Sequence, residues 1–378
     1  MTERVYDLII IGGGVSGIGL AKFMSNRDLD ILLIDKSTLL KGASANSLRI
    51  IHGGFRYLQT LSFQRVVESI KAQDELLKQY PQYIQELNCI LPLQKYGLKS
   101  SLPVSIASHL YSGIHYCLTG RKAGNKVVTK GFIDQEAASV SRLCEHGALV
   151  WTDAQIVDLE GFHQKLMDEV SASSVEIQAH CIVRSIEQEK DLLLLNAEQH
   201  GEIVEYRSKY VVNCGGAWLD QIEVKLQDFA RPQHQWCKAF NLILKRKIFD
   251  KYALALESKS DASKRSYFIT TRGDHSVIGT EYVACTSSPD DLRVSDEEKT
   301  EFINNANYAF PELKLQKEDV VGEEVGVLPF KKKTGSNFQL LGQEEIYAHG
   351  QYIEVLSTKY TTFLQQAKTI AKKLEKLK

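Results

Sequence analysis

Three glycines near the start of the chain have the spacing of a nucleotide-binding turn. Gly12, Gly14 and Gly17 follow the apolar run 5–11 and open an apolar-periodic segment over about 15–27. In such a turn the first glycine permits a tight bend, the second admits a diphosphate to the backbone, and the third lets helix and strand pack closely. The helix N-terminus offers unpaired N–H groups and a partial positive charge. The pattern predicts a dinucleotide site.

An acidic residue ends the second predicted strand. Asp35 follows the apolar run 31–34 and lies 18 residues beyond Gly17, where a carboxylate can accept hydrogen bonds from ribose hydroxyls. An acid at this place disfavours the 2′-phosphate of NADP, because like charges repel. The turn by itself does not choose between NAD and FAD, but the small, polar segment 41–47 suits a loop along an extended cofactor.

The segment 42–58, GASANSLRIIHGGFRYL, resembles the FAD-dependent glycerol-3-phosphate dehydrogenases, within the D-amino-acid-oxidase-like flavoprotein superfamily. Four later pieces are similar to segments of that family and occur in the same order. They are 211–218 (VVNCGGAW), 277–280 (VIGT), 325–329 (VGVLP) and 357–362 (STKYTT). The resemblance therefore spans most of the chain.

The resemblance implies an α/β fold in which a Rossmann-like FAD-binding domain is interleaved with an α+β substrate domain built on an antiparallel sheet. It places the FAD-binding domain at 1–80, 151–228 and 320–378, and the substrate domain at 81–150 and 229–319. It implies FAD as the cofactor and an FAD-dependent dehydrogenase or oxidase as the activity. The residues expected to contact FAD are Gly12, Gly14, Val15, Ser16, Gly17, Asp35, Lys36, Ser44, Asn46, Ser47, His52, Gly53, Gly54, Val183, Gly215, Gly216, Trp218, Lys359, Tyr360 and Thr361.

The chain departs from the family at positions that bear on the substrate. Leu328 stands where the family has an arginine before a proline, and Leu364 where it usually has another arginine. Ser357 and Thr358 replace paired glycines, and Glu281 replaces a threonine after the Gly-Thr of the substrate sheet. Without the first arginine a phosphate clamp is lost. The resemblance therefore implies the fold and the flavin, and not glycerol 3-phosphate as the substrate.

Four residues are expected to carry the chemistry. Arg56, followed by Tyr57, is suited to clamp a carboxylate or phosphate by two hydrogen bonds, with a structural ion pair as the alternative. For His52 three interpretations stay open: a base that takes a hydroxyl proton, a structural residue beside FAD, and a point of covalent attachment. Lys359 and the following helix N-terminus are expected to stabilise negative charge at the flavin N1–C2=O edge, with a solvent-exposed lysine as the alternative.

Other polar residues are weaker candidates, because charged side chains lie mostly at the surface. The cationic side chains that could line a substrate pocket are His234, Lys238, Arg265, Arg272 and His275. For Trp218, packing in the core is favoured over stacking on the cofactor. His109, His115 and His146 lack metal-ligand spacing, so no metal is predicted.

Periodicity predicts the elements that position these residues. Helices are predicted over 61–80, 157–170, 296–309 and 360–378, and strands over 174–186 and 192–214. Short apolar runs alternate with turns over 231–280, which is typical of an antiparallel sheet. Three prolines mark a looser stretch over 81–103.

The composition excludes several classes of protein. Lys plus Arg is 46 and Asp plus Glu is 47, a net charge of −1 that argues against a nucleic-acid binder. No run of about 18 apolar residues indicates a spanning helix, and the start lacks an export signal. Seven cysteines without Cys-x-x-Cys spacing indicate thiols in a reducing cytoplasm. The lysine run 331–333 is expected to be a solvated loop, with peripheral membrane contact as the alternative.

Three functions fit these residues. The first is oxidation of a small, anionic hydroxy compound, resembling glycerol 3-phosphate or a 2-hydroxy acid, by hydride transfer to flavin N5. Its electrons would leave to a quinone, a carrier protein or oxygen. The second keeps the fold but oxidises a C–N bond, as amine and amino-acid oxidases do. The third is a flavin-binding protein without turnover.

Overall fold

The computed structural model describes residues 4–249, 251–257, 266–285, 288–334 and 337–377. Its strands are β1 (Val5–Ile11), β2 (Ile31–Ile34), β3 (Ile50–Ile51), β4 (Ile84–Pro92), β5 (Lys126–Val128), β6 (Ala148–Ile156), β7 (Glu176–Gln178), β8 (Cys181–Glu189), β9 (Leu192–Gln199), β10 (Glu202–Asn213), β11 (Glu223–Lys225), β12 (Trp236–Leu244), β13 (Tyr252–Glu257), β14 (Ser266–Arg272), β15 (His275–Ala284), β16 (Val320–Thr334), β17 (Asn337–Leu340), β18 (Glu345–His349) and β19 (Tyr352–Leu356). Its α-helices are α1 (Val15–Met24), α2 (Phe63–Gln79), α3 (Ser101–Thr119), α4 (Lys130–Glu136), α5 (Leu159–Ser171), α6 (Asp296–Ala309) and α7 (Phe363–Leu377).

The first sheet brings four parallel strands to one edge. Its order is β11-β8-β9-β10-β1-β2-β7, with β19 beside β10 and β18 beside β19. Strand β1 pairs in parallel with β2 and β10, and β19 pairs in parallel with β10. The carboxyl ends of β1, β2, β10 and β19 therefore meet at the same edge, which is where open α/β sheets bind their ligands.

Strand β1 is buried on both faces, which explains its unbroken apolar sequence. Leu8 and Ile10 pack into the core that contains α1 and α7. Ile9 and Ile11 pack on the opposite face, with apolar side chains of β8 and β9. The predicted order of strand, glycine turn, helix and strand is confirmed.

The second sheet has the order β17-β16-β12-β15-β14-β13-β4-β6-β3, with β5 beside β6. Among the described strands its pairs are antiparallel, except that β13 and β4 run parallel. The antiparallel sheet over 231–280 and the predicted fold class are confirmed. The predicted domain ranges stay a prediction. Strands β3 and β16 and most of β6, which fall in the predicted FAD-binding ranges, hydrogen-bond in this second sheet.

Two segments differ from expectation. The stretch predicted to be loose contains β4 and the start of α3, where Pro103 lies in the first turn and its missing N–H costs no helical hydrogen bond. The lysine run is not a loop, because it lies in β16 and pairs with β17. The four predicted helices are present, the last beginning at Phe363. No helix of the described ranges is both long and apolar enough to cross a bilayer.

The segment that leads into α7 is tied to α5 by a histidine and a tyrosine. His163 Nε2 and the Tyr360 hydroxyl share a hydrogen bond of 2.8 Å, and the two rings are nearly parallel. Burial, assisted by the charges of Arg49 and Lys41, lowers the pKa of His163 to about 4. Burial also raises the pKa of Tyr360. Both side chains are therefore neutral at pH 7.

We expect this histidine to weaken the fold at low pH. The folded pKa of His163, about 4, lies below the ordinary value of 6.5. The unfolded chain therefore binds the extra proton between these values, and stability is lost as the pH falls. Urea unfolding from pH 6.5 to 4.5 should show a loss, relative to His163→Gln, of about 2 kcal/mol. The exposed variant His146→Gln should behave as the wild type, and parallel curves for wild type and His163→Gln would refute the assignment.

Candidate active site

A cleft of about 1110 Å³ lies at the carboxyl edge of β1, β2, β10 and β19. Residues of β12, β15 and β16 line it from the second sheet. All the predicted site residues line this cleft except Gly17, Gly53 and Gly54. The sequence analysis therefore identified residues that form most of one wall of the cleft. It gave no distances between them.

The glycine turn after β1 forms one end of the cleft. Gly12 has φ +97°, and a Cβ there would lie 2.6 Å from the carbonyl oxygen of Cys214, so only glycine fits. A Cβ at Gly14 would lie 3.3 Å from Ser44 Oγ. The Val15 N–H, in the first turn of α1, donates to the same Ser44 hydroxyl at 2.9 Å. The bare backbone, the hydroxyl and the helix N-terminus fit the diphosphate of FAD.

Three predicted glycines lie behind the cleft wall. A Cβ at Gly17 would be 3.4 Å from the Ile10 side chain, beneath the turn. The N–H of Gly53 donates to Asp153 Oδ1 at 2.7 Å, and Gly54 has φ +84°. These residues shape the wall from inside the protein, and direct contact with FAD stays a prediction for them.

Asp35 reaches back to the turn. Its Oδ2 accepts from the Gly13 N–H at 2.6 Å, and its Oδ1 accepts from the Ser37 N–H at 2.7 Å. A carboxylate offers about four acceptor positions, so Asp35 keeps capacity for ribose hydroxyls while it braces the glycine turn.

A polar cluster lies beside Asp35 at the same end. The Lys36 ammonium sits 4.2 Å from the centre of the Trp218 indole and pairs with Asp290. Trp218 Nε1 also donates to Asp290, at 3.0 Å. Trp218 is only partly buried, so the expectation of core packing for it was wrong.

Several other predicted contacts have internal partners. The Ser16 hydroxyl donates to Gln366 of α7, and Asn46 Nδ2 donates to the Gly42 carbonyl oxygen at 2.8 Å. These hydrogen bonds hold the cleft wall together. Because the side chains of Ser16 and Asn46 are already bonded inside the protein, their backbone groups are more available to the cofactor than their side chains. Four more residues line the cleft as predicted: Ser47, Val183, Gly215 and Gly216.

His52 is held by a buried carboxylate. Its Nδ1 lies 3.2 Å from Asp153 Oδ2, and Asp153 is buried in β6. The same carboxylate accepts from Trp151 Nε1 at 3.1 Å. The backbone N–H of His52 donates to Thr361 Oγ1 at 3.2 Å. A carboxylate on Nδ1 favours the tautomer with its proton there, which leaves Nε2 as a proton acceptor.

Three cations surround Tyr57 farther along the cleft. The Arg65 guanidinium carbon and the Lys359 ammonium lie 3.9 and 4.5 Å from the centre of its ring. Burial alone would raise the pKa of Tyr57, but a hydrogen bond with Lys359 and the charges of Lys359, Arg65 and Arg56 lower it overall. Arg56 is exposed and forms no ion pair with the described residues. This part of the cleft attracts anions.

Arg65 is only partly satisfied inside the protein. Its Nη2 donates to the Gly342 carbonyl oxygen at 2.8 Å, whereas its buried Nε has no hydrogen-bond partner among the described residues. Leu328, at the position where the resembling family has an arginine, also lines the cleft. Arg65 therefore brings a guanidinium into the cleft, whereas Leu328 brings none where the resembling family has an arginine.

The second sheet contributes a buried ionic network. Glu324 accepts from Arg272 Nη1 at 2.5 Å and lies 3.5 Å from Arg49 Nη2. Asn241 Nδ2 donates to the same carboxylate at 3.3 Å, and its own Oδ1 accepts from the Thr280 hydroxyl at 2.9 Å. Burial lowers the pKa of Arg272. The network orients Asn241 and Thr280, which line the cleft.

The weaker cationic candidates are engaged elsewhere. His234, Lys238, Arg272 and His275 do not line the cleft, and Arg265 lies outside the described residues. His234 pairs with Asp220 at 2.8 Å, and Lys238 pairs with Glu298 at 2.7 Å. Among the described side chains, no group of three or more His, Cys, Asp or Glu residues could hold a metal ion.

The sequence interpretation missed Asp153, Arg65 and Asp290. Asp153 was detectable as a lone acid inside the apolar run 148–156, since a buried strand keeps a charge only with partners. Arg65 and Asp290 carried no comparable signal. Each reaches the cleft through tertiary packing, from the first turn of α2 and from a loop after β15.

Comparison with known proteins agrees with this geometry. The family described as "FAD dependent oxidoreductase" matches residues 7–353. A glycerol-3-phosphate dehydrogenase of Synechocystis sp. is 24% identical, over 98% of this chain and 70% of its own length. This chain thus spans about two-thirds of that relative.

Solved structures show the same fold. The FAD complex of glycerol-3-phosphate dehydrogenase from Bacillus halodurans is similar with a TM-score of 0.73 and 18% identity, over 100% of this chain and 65% of its own. A glycine oxidase from Geobacillus kaustophilus is similar with a TM-score of 0.68 and 14% identity, over 99% and 95% of the two chains.

The glycine cradle at the sheet edge, the cleft between the two sheets and the family match over most of the chain lead to one conclusion. The resemblance inferred from the segment 42–58 is confirmed. The chain belongs to the FAD-dependent oxidoreductase family, and it is an enzyme that uses FAD.

Proposed function

We propose that the enzyme oxidises a small, anionic hydroxy compound at its C–OH carbon. The observation that carries the proposal is the group of cations Arg56, Arg65 and Lys359 around Tyr57. This group lines the same cleft as His52, which is backed by Asp153. An anion clamp and a positioned base together suit removal of a hydroxyl proton and a hydride from one small molecule.

The residues divide this work. Bound FAD supplies the acceptor for two electrons and a proton. Arg56, which has no internal ion pair among the described residues, and Arg65 hold the substrate anion with charge-assisted hydrogen bonds. His52 Nε2 takes the hydroxyl proton, and Asp153 keeps the ring oriented and offsets the positive charge that develops on it. Lys359 adds positive charge to the cleft beside the Tyr57 ring.

A second candidate is oxidation of an amino acid. The glycine oxidase of the same fold supports it, and an amino acid also carries an anion for the clamp. Simple amines are disfavoured, because an ammonium group beside three cations is repelled. Membership of an oxidoreductase family argues against the third hypothesis, a flavin-binding protein without turnover. The electron acceptor stays predicted as a quinone, a carrier protein or oxygen.

The test of the proposal is reduction of bound FAD without oxygen. We expect an anionic hydroxy compound to bleach the visible flavin spectrum within seconds, and uncharged polyols of the same size to do so far more slowly. Phosphorylated polyols, 2-hydroxy acids and amino acids should be compared at equal concentrations. Bleaching by amino acids alone would replace the proposal with the second candidate.

Arg65 is predicted to set the affinity for the anion. Replacing a charged hydrogen-bond donor by Arg65→Gln should raise KM for the anionic substrate about 10- to 100-fold, with kcat changed much less. Arg65→Lys should recover part of the loss, because the charge remains. Lys71→Gln, an exposed position on the same helix, is the matched control, and equal KM values for Arg65→Gln and Lys71→Gln would remove Arg65 from the site.

Asp153 is predicted to act through His52. Asp153→Asn keeps the shape but removes the charge and changes the preferred tautomer, so kcat should fall by about 10²- to 10⁴-fold with little change in KM. The bound-flavin spectrum should be unchanged, which separates loss of chemistry from loss of cofactor. Asp168→Asn, an exposed carboxylate on α5, is the control. An unaltered kcat would make His52 a structural residue.

A further inference from the structure

Two guanidiniums share a single carboxylate at the wall of the cleft. Glu324 Oε1 accepts from Arg272 Nη1 at 2.5 Å and lies 3.5 Å from Arg49 Nη2. No other carboxylate of the described ranges pairs with either guanidinium. We name these three residues, Arg49, Arg272 and Glu324, the Arg49 cluster. The cluster keeps one positive charge that the protein does not neutralise.

Each guanidinium of the Arg49 cluster also has an N–H group without an acceptor. The Nε atoms of Arg49 and Arg272 are buried and have no hydrogen-bond partner among the residues that the structure describes. A buried N–H of this kind costs free energy unless another molecule accepts its hydrogen bond. The cluster therefore lacks one negative charge and two hydrogen-bond acceptors.

Arg49 is held in an unusual backbone conformation. Its φ is +61°, in the left-handed region that an arginine rarely adopts. Two hydrogen bonds from the second sheet hold the turn: the Ile156 N–H donates to the Arg49 carbonyl oxygen at 2.8 Å, and Arg272 Nη2 donates to the Ser47 carbonyl oxygen at 2.6 Å. Strained residues persist where their surroundings fix them, and they are concentrated at functional sites.

The Arg49 cluster lies along the wall that is predicted to follow the flavin. Arg49 lines the cleft, and in the chain it stands between Ser47 and His52, two predicted contacts of FAD. Burial raises the pKa of Tyr360, and the positive charge of Arg49 opposes that rise. Arg49 therefore acts on the segment 359–361, which is predicted to face the flavin N1–C2=O edge.

We propose that the Arg49 cluster raises the reduction potential of bound FAD. When the flavin takes up two electrons and one proton, it gains one negative charge, which collects at its N1–C2=O edge. An unneutralised guanidinium in the cleft wall stabilises that charge. Arg49 is the residue that faces the cofactor, whereas Arg272 and Glu324 are positioning residues that hold it and set how much of its charge remains.

Redox titration of the FAD-loaded protein against a dye of known potential tests the proposal. The reduced dye supplies the two electrons and the solvent supplies the proton, so no substrate is needed. Arg49→Gln removes the charge, and the equilibrium constant for flavin reduction should fall about tenfold or more. Arg49→Lys keeps the charge and should recover part of the loss.

Glu324→Gln provides a change of opposite sign. It removes the carboxylate that offsets the two guanidiniums, so the equilibrium constant for flavin reduction should rise by about tenfold. Arg49→Gln and Glu324→Gln break the same ion pair, so a loosened cleft wall would shift both variants in one direction. Only the charge of the cluster moves them in opposite directions.

Arg4→Gln is the matched control. Arg4 also contacts two elements of the protein, through Asp30 and Glu176, but it precedes β1 at the sheet edge opposite the cleft. Its replacement should leave the equilibrium constant unchanged. The visible spectrum of the oxidised flavin shows which variants retain FAD, and if Glu324→Gln does not, the comparison of Arg49→Gln with Arg49→Lys decides the test.

Equal equilibrium constants for the wild type and Arg49→Gln would overturn the proposal, and so would a fall in Glu324→Gln. An unchanged constant together with a raised KM for substrates that carry a second anionic group would assign the cluster to the substrate instead. Because the dye replaces the substrate, failure of this test leaves the proposed function intact.

Discussion

The close approach of two turns at the ends of neighbouring parallel strands is the constraint on which the site depends. Gly12 follows β1 and Cys214 follows β10, and no side chain fits between them. The Cys214 N–H donates to the Ile11 carbonyl oxygen at 2.7 Å, so the two turns are joined by their backbones. With this edge formed, the helix N-terminus, Asp35 and the last segment before α7 all face one cleft.

Local sequence was enough to predict the glycine turn after β1 and the two strands that flank it, whereas the turn at Cys214 was identified through the family resemblance of 211–218. The glycines, the flanking apolar runs and Asp35 lie within 35 residues, and each part has a physical requirement that only a few residue types satisfy. Periodicity also predicted the helix over 296–309, and the structure shows that its start is fixed by a capping box in which the Ser295 and Glu298 side chains each accept from the other residue's backbone N–H. Where structure is determined by neighbours in the chain, sequence patterns were sufficient.

The remainder depended on pairing between distant segments. Strand β6 places Asp153 behind His52, although the two residues are about a hundred positions apart. The mixed polarity of β4 hid it as a strand, because Ile84, Cys89 and Ile90 are buried whereas the four residues 85–88 between them are exposed or partly buried. Arg65 meets Tyr57 because the 3₁₀ helix Phe55–Thr60 is followed closely by α2, and no spacing rule describes the path of the chain between them. The residues proposed to act on the substrate are therefore brought together by tertiary packing, whereas the cofactor-binding turn is determined by local sequence.

The parallel pairing of β4 with β13 has a consequence for the order of assembly. Asn88 is hydrogen-bonded in register with Tyr252, so the sheet that carries half of the cleft cannot close until the ribosome has released most of the polypeptide. Until β13 is made, β4 can pair with β6 on one side, but its other edge has no partner strand. The edge of β4 that pairs with β13 therefore stays unpaired throughout the synthesis of the segment between Pro92 and Tyr252.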